Sequence, residues 1–142
     1  MIAVGGGGQA TLIDDSYNAS PAAMTAAIDK LRMVHEARGG RGRKIAALGD
    51  MRELGPTAPA LHRALTEPLV AAGVHQVFTA GELMRHLQDG LPAAMRGDHA
   101  PDAAALLRIL RAKLLQGDVV LVKGSHGSKM YEVAKGLVAD GG

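Results

Sequence analysis

Short apolar runs alternate along the chain with longer segments in which apolar residues recur every three or four positions. The short runs are typical of strands and fall at residues 11–14, 44–48, 76–80, 94–99 and 118–123. The longer segments have helical spacing and fall at residues 21–38, 59–72, 82–88, 101–115 and 129–139. Because strands and helices alternate, we predict an α/β fold in a single domain: a Rossmann-like, mostly parallel sheet with helices on both faces.

Local signals support several of these boundaries. Ser20 and Pro21 are typical of a helix start, since serine caps free N–H groups and proline suits the first helical position. Gly39 follows the first helix and is expected to end it. Pro68 lies inside the second helical segment, which it is expected to kink or split because it lacks a backbone N–H group.

The composition limits the core and the chemistry. The 142 residues are the usual size of one domain, and with one Phe, no Trp and two Tyr the core must be aliphatic. The absence of cysteine excludes a disulfide framework, a thiolate metal site and a thiol nucleophile. The sequence shows neither an apolar run long enough to span a bilayer nor the pattern of a signal peptide, so the expected location is the cytoplasm.

The charge distribution predicts neither a nucleic-acid nor a membrane partner. The net charge is only +2, and one short basic run occurs at residues 38–44. Nucleic-acid modules usually combine such charges with stacking aromatic residues, of which this chain has almost none. We therefore interpret the run as a solvated turn, with RNA binding as the alternative.

Three loops that follow predicted strands have the residues to bind a ligand, at residues 14–20, 49–55 and 123–129. In a parallel sheet such loops leave one edge, and ligands bind there. In the loop at residues 123–129, glycines allow close approach of the backbone while lysines and serines supply donors for an anion. The loop is neither a Walker A motif nor a G-x-G-x-x-G motif, and an ordinary glycine-rich turn is the alternative.

The other two loops are acidic or of mixed charge. Asp14 and Asp15 are adjacent carboxylates that could hold a ribose hydroxyl or a metal ion, or could serve only to form the turn. Asp50, Arg52 and Glu53 lie between glycines and offer both signs of charge to a zwitterion, with a solvated loop as the alternative.

The histidines do not predict a metal site. None of the six forms an H-x-H or H-x-x-x-H pair, and we interpret all except His126 as surface or packing residues. We therefore predict no metal ligand and no catalytic residue in this chain.

Several sequence blocks in and around the loops resemble those of the Mur ligase family. Residues 12–21, LIDDSYNASP, resemble its LIDDSYNANP block, with Ser20 in place of the usual Asn. Residues 47–55, ALGDMRELG, resemble its VLGDMxELG block, and residues 61–63 resemble the LHR that follows it.

Further blocks follow in the order that the family has. Residues 77–81, VFTAG, resemble VFTVG, and residues 121–125, LVKGS, resemble the start of LVKGSR, with His126 in place of the usual Arg. Residues 130–133, MYEV, resemble MEEVV. The resemblance covers residues 11–139, and the correct order of the blocks makes it specific.

The resemblance implies an ATP-dependent amide ligase of peptidoglycan precursor synthesis. Within the family, the DDSYNA and GDMxELG blocks are most similar to the branch that adds D-alanyl-D-alanine to UDP-N-acetylmuramoyl-tripeptide. In that reaction ATP phosphorylates the tripeptide carboxylate, and the amine of the dipeptide attacks the acyl phosphate.

The resemblance also implies a division into domains. Residues 11–142 correspond to the carboxy-terminal domain, and we interpret residues 1–10 as a linker or junction where a preceding domain was removed. The missing amino-terminal domain would hold the UDP-sugar, and the missing central P-loop domain would hold ATP and magnesium. The chain contains no P-loop, so the isolated domain is expected to be inactive.

The family's ligand-facing positions transfer to two sets of residues. The nucleotide-facing turn corresponds to Asp15, Tyr17 and Asn18. The loops facing the dipeptide correspond to Asp50, Met51, Glu53, Lys123, Ser125 and His126. A neutral imidazole at position 126 is expected to anchor a carboxylate less well than arginine does, and fully only when protonated.

A freestanding Rossmann-like module that binds a nucleotide or another anion is the alternative function. The two hypotheses differ in what precedes the chain, because a ligase requires an upstream reading frame that encodes a P-loop domain.

Overall fold

The computed structural model describes residues 1–16 and 19–141, and within them six strands form one sheet. The strands are β1 (Ile2–Ala3), β2 (Gln9–Asp15), β3 (Lys44–Gly49), β4 (Gln76–Ala80), β5 (Arg96–Ala100) and β6 (Val119–Lys123). Their order across the sheet is β1-β2-β6-β3-β4-β5. All neighbouring pairs are parallel except β1 and β2, which are antiparallel.

Helices cover both faces of the sheet. They are α1 (Pro21–Ala37), α2 (Ala58–Arg63), α3 (Thr66–Ala71), α4 (Arg85–Gly90), α5 (Ala103–Lys113) and α6 (Met130–Gly141). The first four pack on one face, and α5 and α6 pack on the other. This arrangement confirms the predicted α/β fold with a mostly parallel sheet. In the described part of the chain, no helix has the length and apolar character needed to cross a membrane.

The central strand β6 divides the interior into two aliphatic cores. Val119 and Leu121 belong to the core beneath α1–α4, whereas Val120 and Val122 belong to the core beneath α5 and α6. Successive side chains of a strand point to opposite faces, so an unbroken apolar run fills both cores at once.

The predicted helix boundaries on either side of β3 are confirmed. Ser20 caps α1, and its Oγ accepts a hydrogen bond of 3.1 Å from the N–H of Ala23. The second helical segment is split into α2 and α3, with Pro68 at the third position of α3. The helix breaks before Pro68 because proline has no N–H for the hydrogen bond that would continue α2. Its ring would also clash with the carbonyl one turn earlier.

The N-terminal residues differ most from the sequence expectation. Residues 1–10 are predicted as a linker or junction, yet Ile2–Ala3 forms β1 and pairs with the start of β2, which begins at Gln9. Ile2 is buried against Ala10 in the core beneath α5 and α6. The glycines between the strands form a short 3₁₀ turn that reverses the chain, which the composition of a glycine run does not reveal.

The basic run at residues 38–44 forms the turn between α1 and β3, as predicted, and its last residue, Lys44, begins β3. Arg43 donates two hydrogen bonds to the buried carboxylate of Asp118, at 2.9 Å from Nε and 2.8 Å from Nη2. Asp118 also accepts a bond of 2.8 Å from the N–H of Leu115. Hydrogen bonding to Asp118 raises the pKa of Arg43. This ion pair ties the start of β3 to the start of β6.

We expect Gly42→Ala to destabilise the chain more than Gly39→Ala. Both glycines have positive φ angles, +80° and +85° respectively, so both alanines incur a left-handed strain of about 1–2 kcal/mol. A Cβ at Gly42 would also collide with the carbonyl of Gly117, whereas one at Gly39 meets open space. Urea unfolding followed by circular dichroism should show a further loss of about 1–3 kcal/mol for Gly42→Ala. Equal losses would contradict the close approach of these turns.

Candidate functional site

The three loops selected from the sequence leave the same edge of the sheet. In the strand register, Lys123 at the end of β6 pairs with Asp15 at the end of β2 and with Leu48 near the end of β3. The loops after β2, β3 and β6 therefore begin side by side, which confirms the predicted juxtaposition. Tyr17 and Asn18 lie outside the described residues.

Asp50 joins the loop after β3 to two other loops. Its carboxylate accepts hydrogen bonds from the N–H groups of Met84, at 2.9 Å, and Leu83, at 3.3 Å, just before α4. Its backbone carbonyl accepts a bond of 3.1 Å from the N–H of Ser125. Asp50 thus holds the loops after β3, β4 and β6 together, and its role as a substrate ligand stays a prediction.

A buried histidine supports the same loop from below. The N–H of Met51 donates a hydrogen bond of 3.0 Å to Nε2 of His62, and Nδ1 of His62 lies 2.7 Å from the carbonyl oxygen of Ala58. Both contacts are satisfied when Nδ1 carries the proton and donates to the carbonyl. Met51 is fully buried in the core beneath α1–α4, so its side chain does not reach the surface. In the sequence, His62 belongs to the LHR block, but the spacing of the histidines assigns no role to this residue.

The loop after β6 is a tight turn that approaches the end of β3 closely. Ser125 Oγ accepts a bond of 3.2 Å from the N–H of Ser128, and Ser128 Oγ donates one of 2.6 Å to the carbonyl of Ser125. A Cβ at Gly124 would lie 2.5 Å from Ser128 Oγ and 3.2 Å from the Cα of Gly49. Glycine is required here because the two loops leave no space for a side chain.

His126 and Glu53 are exposed at this edge. The His126 ring stacks on Tyr131, with ring centroids 5.2 Å apart and planes 17° from parallel. Glu53 has a φ of +61°, an uncommon left-handed conformation for a residue with a side chain. Both remain accessible to a ligand, and their predicted contacts with the dipeptide stay predictions.

Lys123 is buried and directed towards Asp15. Its side chain is 2% exposed, and its Nζ lies 3.1 Å from Asp15 Oδ2 and 3.4 Å from the Asp15 carbonyl oxygen. Both side chains lie on the sheet face covered by α1, since they share strand parity with Leu121 and Ile13 of that core. The sequence grouped Lys123 with the loops predicted to face the dipeptide, but its ammonium lies beside Asp15, which was predicted to face the nucleotide. Both assignments to ligands stay predictions. Motif order alone does not give the direction of a side chain.

A cleft of about 340 Å³ opens at the same edge on the side of α5 and α6. Its charged lining residues are Asp50, Arg52, Asp102, Lys129 and Glu132. Arg52 Nη2 donates a hydrogen bond of 3.2 Å to the carbonyl of Gly127, which places the guanidinium over the loop after β6.

Of the six predicted dipeptide-facing residues, only Asp50 lines this cleft. The sequence predicted Lys129 as a donor for an anion and noted Arg52 only for its charge, and it gave Glu132 no role. Arg52 and Lys129 lie in loops that follow strands at the carboxyl edge, whereas Glu132 lies in the first turn of α6.

His99 closes the neighbouring part of this edge as a packing residue. Its Nδ1 lies 2.7 Å from Oγ1 of the buried Thr79, which joins the ends of β4 and β5. Burial, and then the nearby positive charge of Arg85, lower the pKa of His99. The neutral ring agrees with its interpretation as a packing residue.

A larger groove of about 760 Å³ lies between α1 and α3, and its lining is mainly apolar. Alanine and proline dominate its lining, and its charged side chains, Asp29 and Arg32, pair with each other at 2.9 Å. We therefore place the candidate site at the carboxyl edge. Within residues 1–16 and 19–141, no three His, Asp or Glu side chains are grouped so that they could hold a metal ion.

We expect Asp15→Asn to destabilise the chain more than Lys123→Met. The Asp15 side chain is 44% exposed and can be hydrated when it loses its partner, whereas the ammonium of Lys123 is buried. Asp15→Asn should lower the free energy of unfolding by about 1–3 kcal/mol, and Lys123→Met should cost less because it replaces a buried charge by an apolar chain. Urea titration of both variants at neutral pH measures the difference. A larger loss for Lys123→Met would contradict this account.

Comparison with known proteins gives one consistent family. Residues 1–126 match the family model described as Mur ligase, glutamate ligase domain. The UDP-N-acetylmuramoyl-tripeptide–D-alanyl-D-alanine ligase of Bacillus subtilis (strain 168) is 33% identical over 131 residues, covering 90% of this chain and 28% of the relative. The enzyme of the same name from Escherichia coli (strain K12) is 34% identical over 132 residues, covering 92% of this chain and 27% of the relative.

The fold is also that of a solved structure. The MurF ligase of Thermotoga maritima in complex with ADP superposes with a TM-score of 0.72 at 25% identity, covering 92% of this chain and 28% of that one. The chain therefore spans less than a third of the length of the proteins it matches. With its sequence blocks, its strand order and the match over residues 1–126 in agreement, the chain belongs to the Mur ligase family.

Proposed function

We propose that this chain is the carboxy-terminal domain of an ATP-dependent ligase that adds D-alanyl-D-alanine to UDP-N-acetylmuramoyl-tripeptide. The observation that carries the proposal is the meeting of three loops with family blocks at one edge of the sheet. The names of the relatives and the ADP of the Thermotoga maritima structure support the same reaction. The proposed location of the reaction is the cytoplasm.

In the proposed reaction the tripeptide carboxylate attacks the γ-phosphate of ATP, which forms an acyl phosphate and releases ADP. The neutral amine of the dipeptide then attacks the acyl carbon, and phosphate leaves. ATP and magnesium are held mainly by the central domain, since this chain has no P-loop. The carboxy-terminal domain binds and orients the dipeptide and completes the nucleotide site.

The dipeptide is placed in the cleft on the side of α5 and α6. D-Alanyl-D-alanine is a small zwitterion, and a cleft of about 340 Å³ with both signs of charge suits it in size and character. Arg52 and Lys129 can receive its carboxylate. Glu132 is exposed at the same cleft and can hold the ammonium before the amine loses its proton.

The nucleotide is placed near the turn after β2. Asp15 presents a half-exposed carboxylate there, and Tyr17 and Asn18 follow it in the sequence. A carboxylate accepts hydrogen bonds, so Asp15 suits the hydroxyl or amino groups of a nucleotide better than its phosphates. The two ligands would therefore approach from opposite faces of the sheet and meet at its carboxyl edge.

We expect the 142-residue chain alone to release no phosphate from ATP, because it lacks a phosphate-gripping loop. The full-length protein should release phosphate and form the amide only when both UDP-tripeptide and D-alanyl-D-alanine are present. Phosphate release and mass spectrometry of the product measure both outcomes. Turnover by the isolated chain would contradict the proposal, and so would a reading frame without a P-loop domain upstream of it.

We expect Arg52→Ala in the full-length ligase to raise the KM for D-alanyl-D-alanine by roughly ten- to a hundred-fold, the value of one charge-assisted hydrogen bond. The KM for ATP should change little. Arg41→Ala is the matched control, because Arg41 is exposed in the turn between α1 and β3. Steady-state kinetics with each substrate varied in turn separates the two constants. An equal effect of both substitutions would remove Arg52 from the dipeptide site.

A further inference from the structure

Lys123 is a buried lysine at the ligand-binding edge that does not face the proposed dipeptide cleft. It is 2% exposed, and it lies on the sheet face covered by α1. The cleft lies on the other face, and Lys123 is absent from its lining. The lysine therefore does not reach a dipeptide bound between Arg52 and Lys129.

The contacts of Lys123 point to Asp15. The ladder between β2 and β6 pairs the two residues directly, so their side chains emerge side by side on one face. The ammonium lies 3.1 Å from Oδ2 of the carboxylate and 3.4 Å from the backbone carbonyl of the same residue. One contact holds the carboxylate through Oδ2, and the other holds the backbone of the same residue.

The two side chains of the pair differ in exposure, so the carboxylate faces the solvent and the ammonium faces the protein interior. The Asp15 side chain is 44% exposed, whereas the Lys123 side chain is 2% exposed. Lys123 lies on the protein side of the carboxylate, so a ligand can reach Asp15 without displacing the lysine. An unpaired carboxylate would repel a nucleotide polyphosphate, and the buried cation offsets that charge.

We propose that Lys123 is a positioning residue for the nucleotide: it holds Asp15 in place and neutralises it, and it makes no contact with the dipeptide. This inference rests on the proposed ligase function. It assigns the lysine of the LVKGS block to the nucleotide half of the site. The dipeptide is then bound by residues of the loops after β3 and β6 other than Lys123.

The test compares Lys123→Met, Asp15→Asn and the double variant in the full-length ligase, with Arg41→Ala as the control. Each single substitution should raise the KM for ATP about ten-fold, the effect of losing one charge-assisted contact, and should leave the KM for D-alanyl-D-alanine within about two-fold. The KM for ATP of the double variant should be no higher than that of the more impaired single variant, because the two residues act as one unit.

ADP binding to the same proteins, measured by calorimetry, provides a readout that does not depend on amide formation. The dissociation constant for ADP should rise in both single variants and should not rise further in the double variant. Lys123→Arg, which keeps the charge, should recover part of the affinity and provides a second variant if Lys123→Met does not fold.

Three results would overturn the inference. They are a raised KM for the dipeptide with unchanged nucleotide binding, equal losses for both substrates, and additive effects of the two substitutions on ADP affinity. A wild-type protein that binds ADP but forms no amide would instead refute the proposed ligase function, and the ADP measurements would still decide the role of Lys123.

Discussion

The pairing of β6 with two neighbours that are distant in sequence is the constraint on which the rest of the structure depends. β6 lies between β2 and β3, and all of its residues are buried. It can occupy that position because four consecutive apolar residues supply both cores, so no polar side chain has to be accommodated until the strand ends. The first polar side chain of the strand, Lys123, therefore emerges at the edge where the loops begin.

That edge is preorganised by close packing of the backbone and by hydrogen bonds between side chains and backbone groups. At Gly49 and Gly124 the ends of β3 and β6 leave no space for a Cβ, and Asp50 accepts hydrogen bonds from the loops after β4 and β6. His62 holds the loop after β3 from inside the protein. Groups that are fixed before a ligand arrives do not have to be ordered on binding, which favours both affinity and correct orientation.

The sheet separates two environments at this edge. On the face of α1, a buried cation supports a half-exposed carboxylate, and the local formal charge is balanced. On the face of α5 and α6, a cleft presents exposed charges of both signs. In the proposed function, the first environment would receive the nucleotide and the second the small zwitterion. His126 is exposed in the loop after β6, where arginine is usual in the family blocks, and Arg52 supplies a guanidinium from the loop after β3.

The sequence by itself determined the order of the elements from β2 to α6, the start of α1, the split of the second helical segment at Pro68 and the edge where the loops meet, because these follow from local spacing, capping, proline geometry and the alternation of strands with helices. Its motif blocks also determined the family. Only the tertiary structure decided the pairing of β1 with β2, the burial of Met51 and the direction of Lys123. The reason is physical: these properties depend on which strands become neighbours and on which face of the sheet a side chain emerges. Both are set by contacts between residues far apart in the chain.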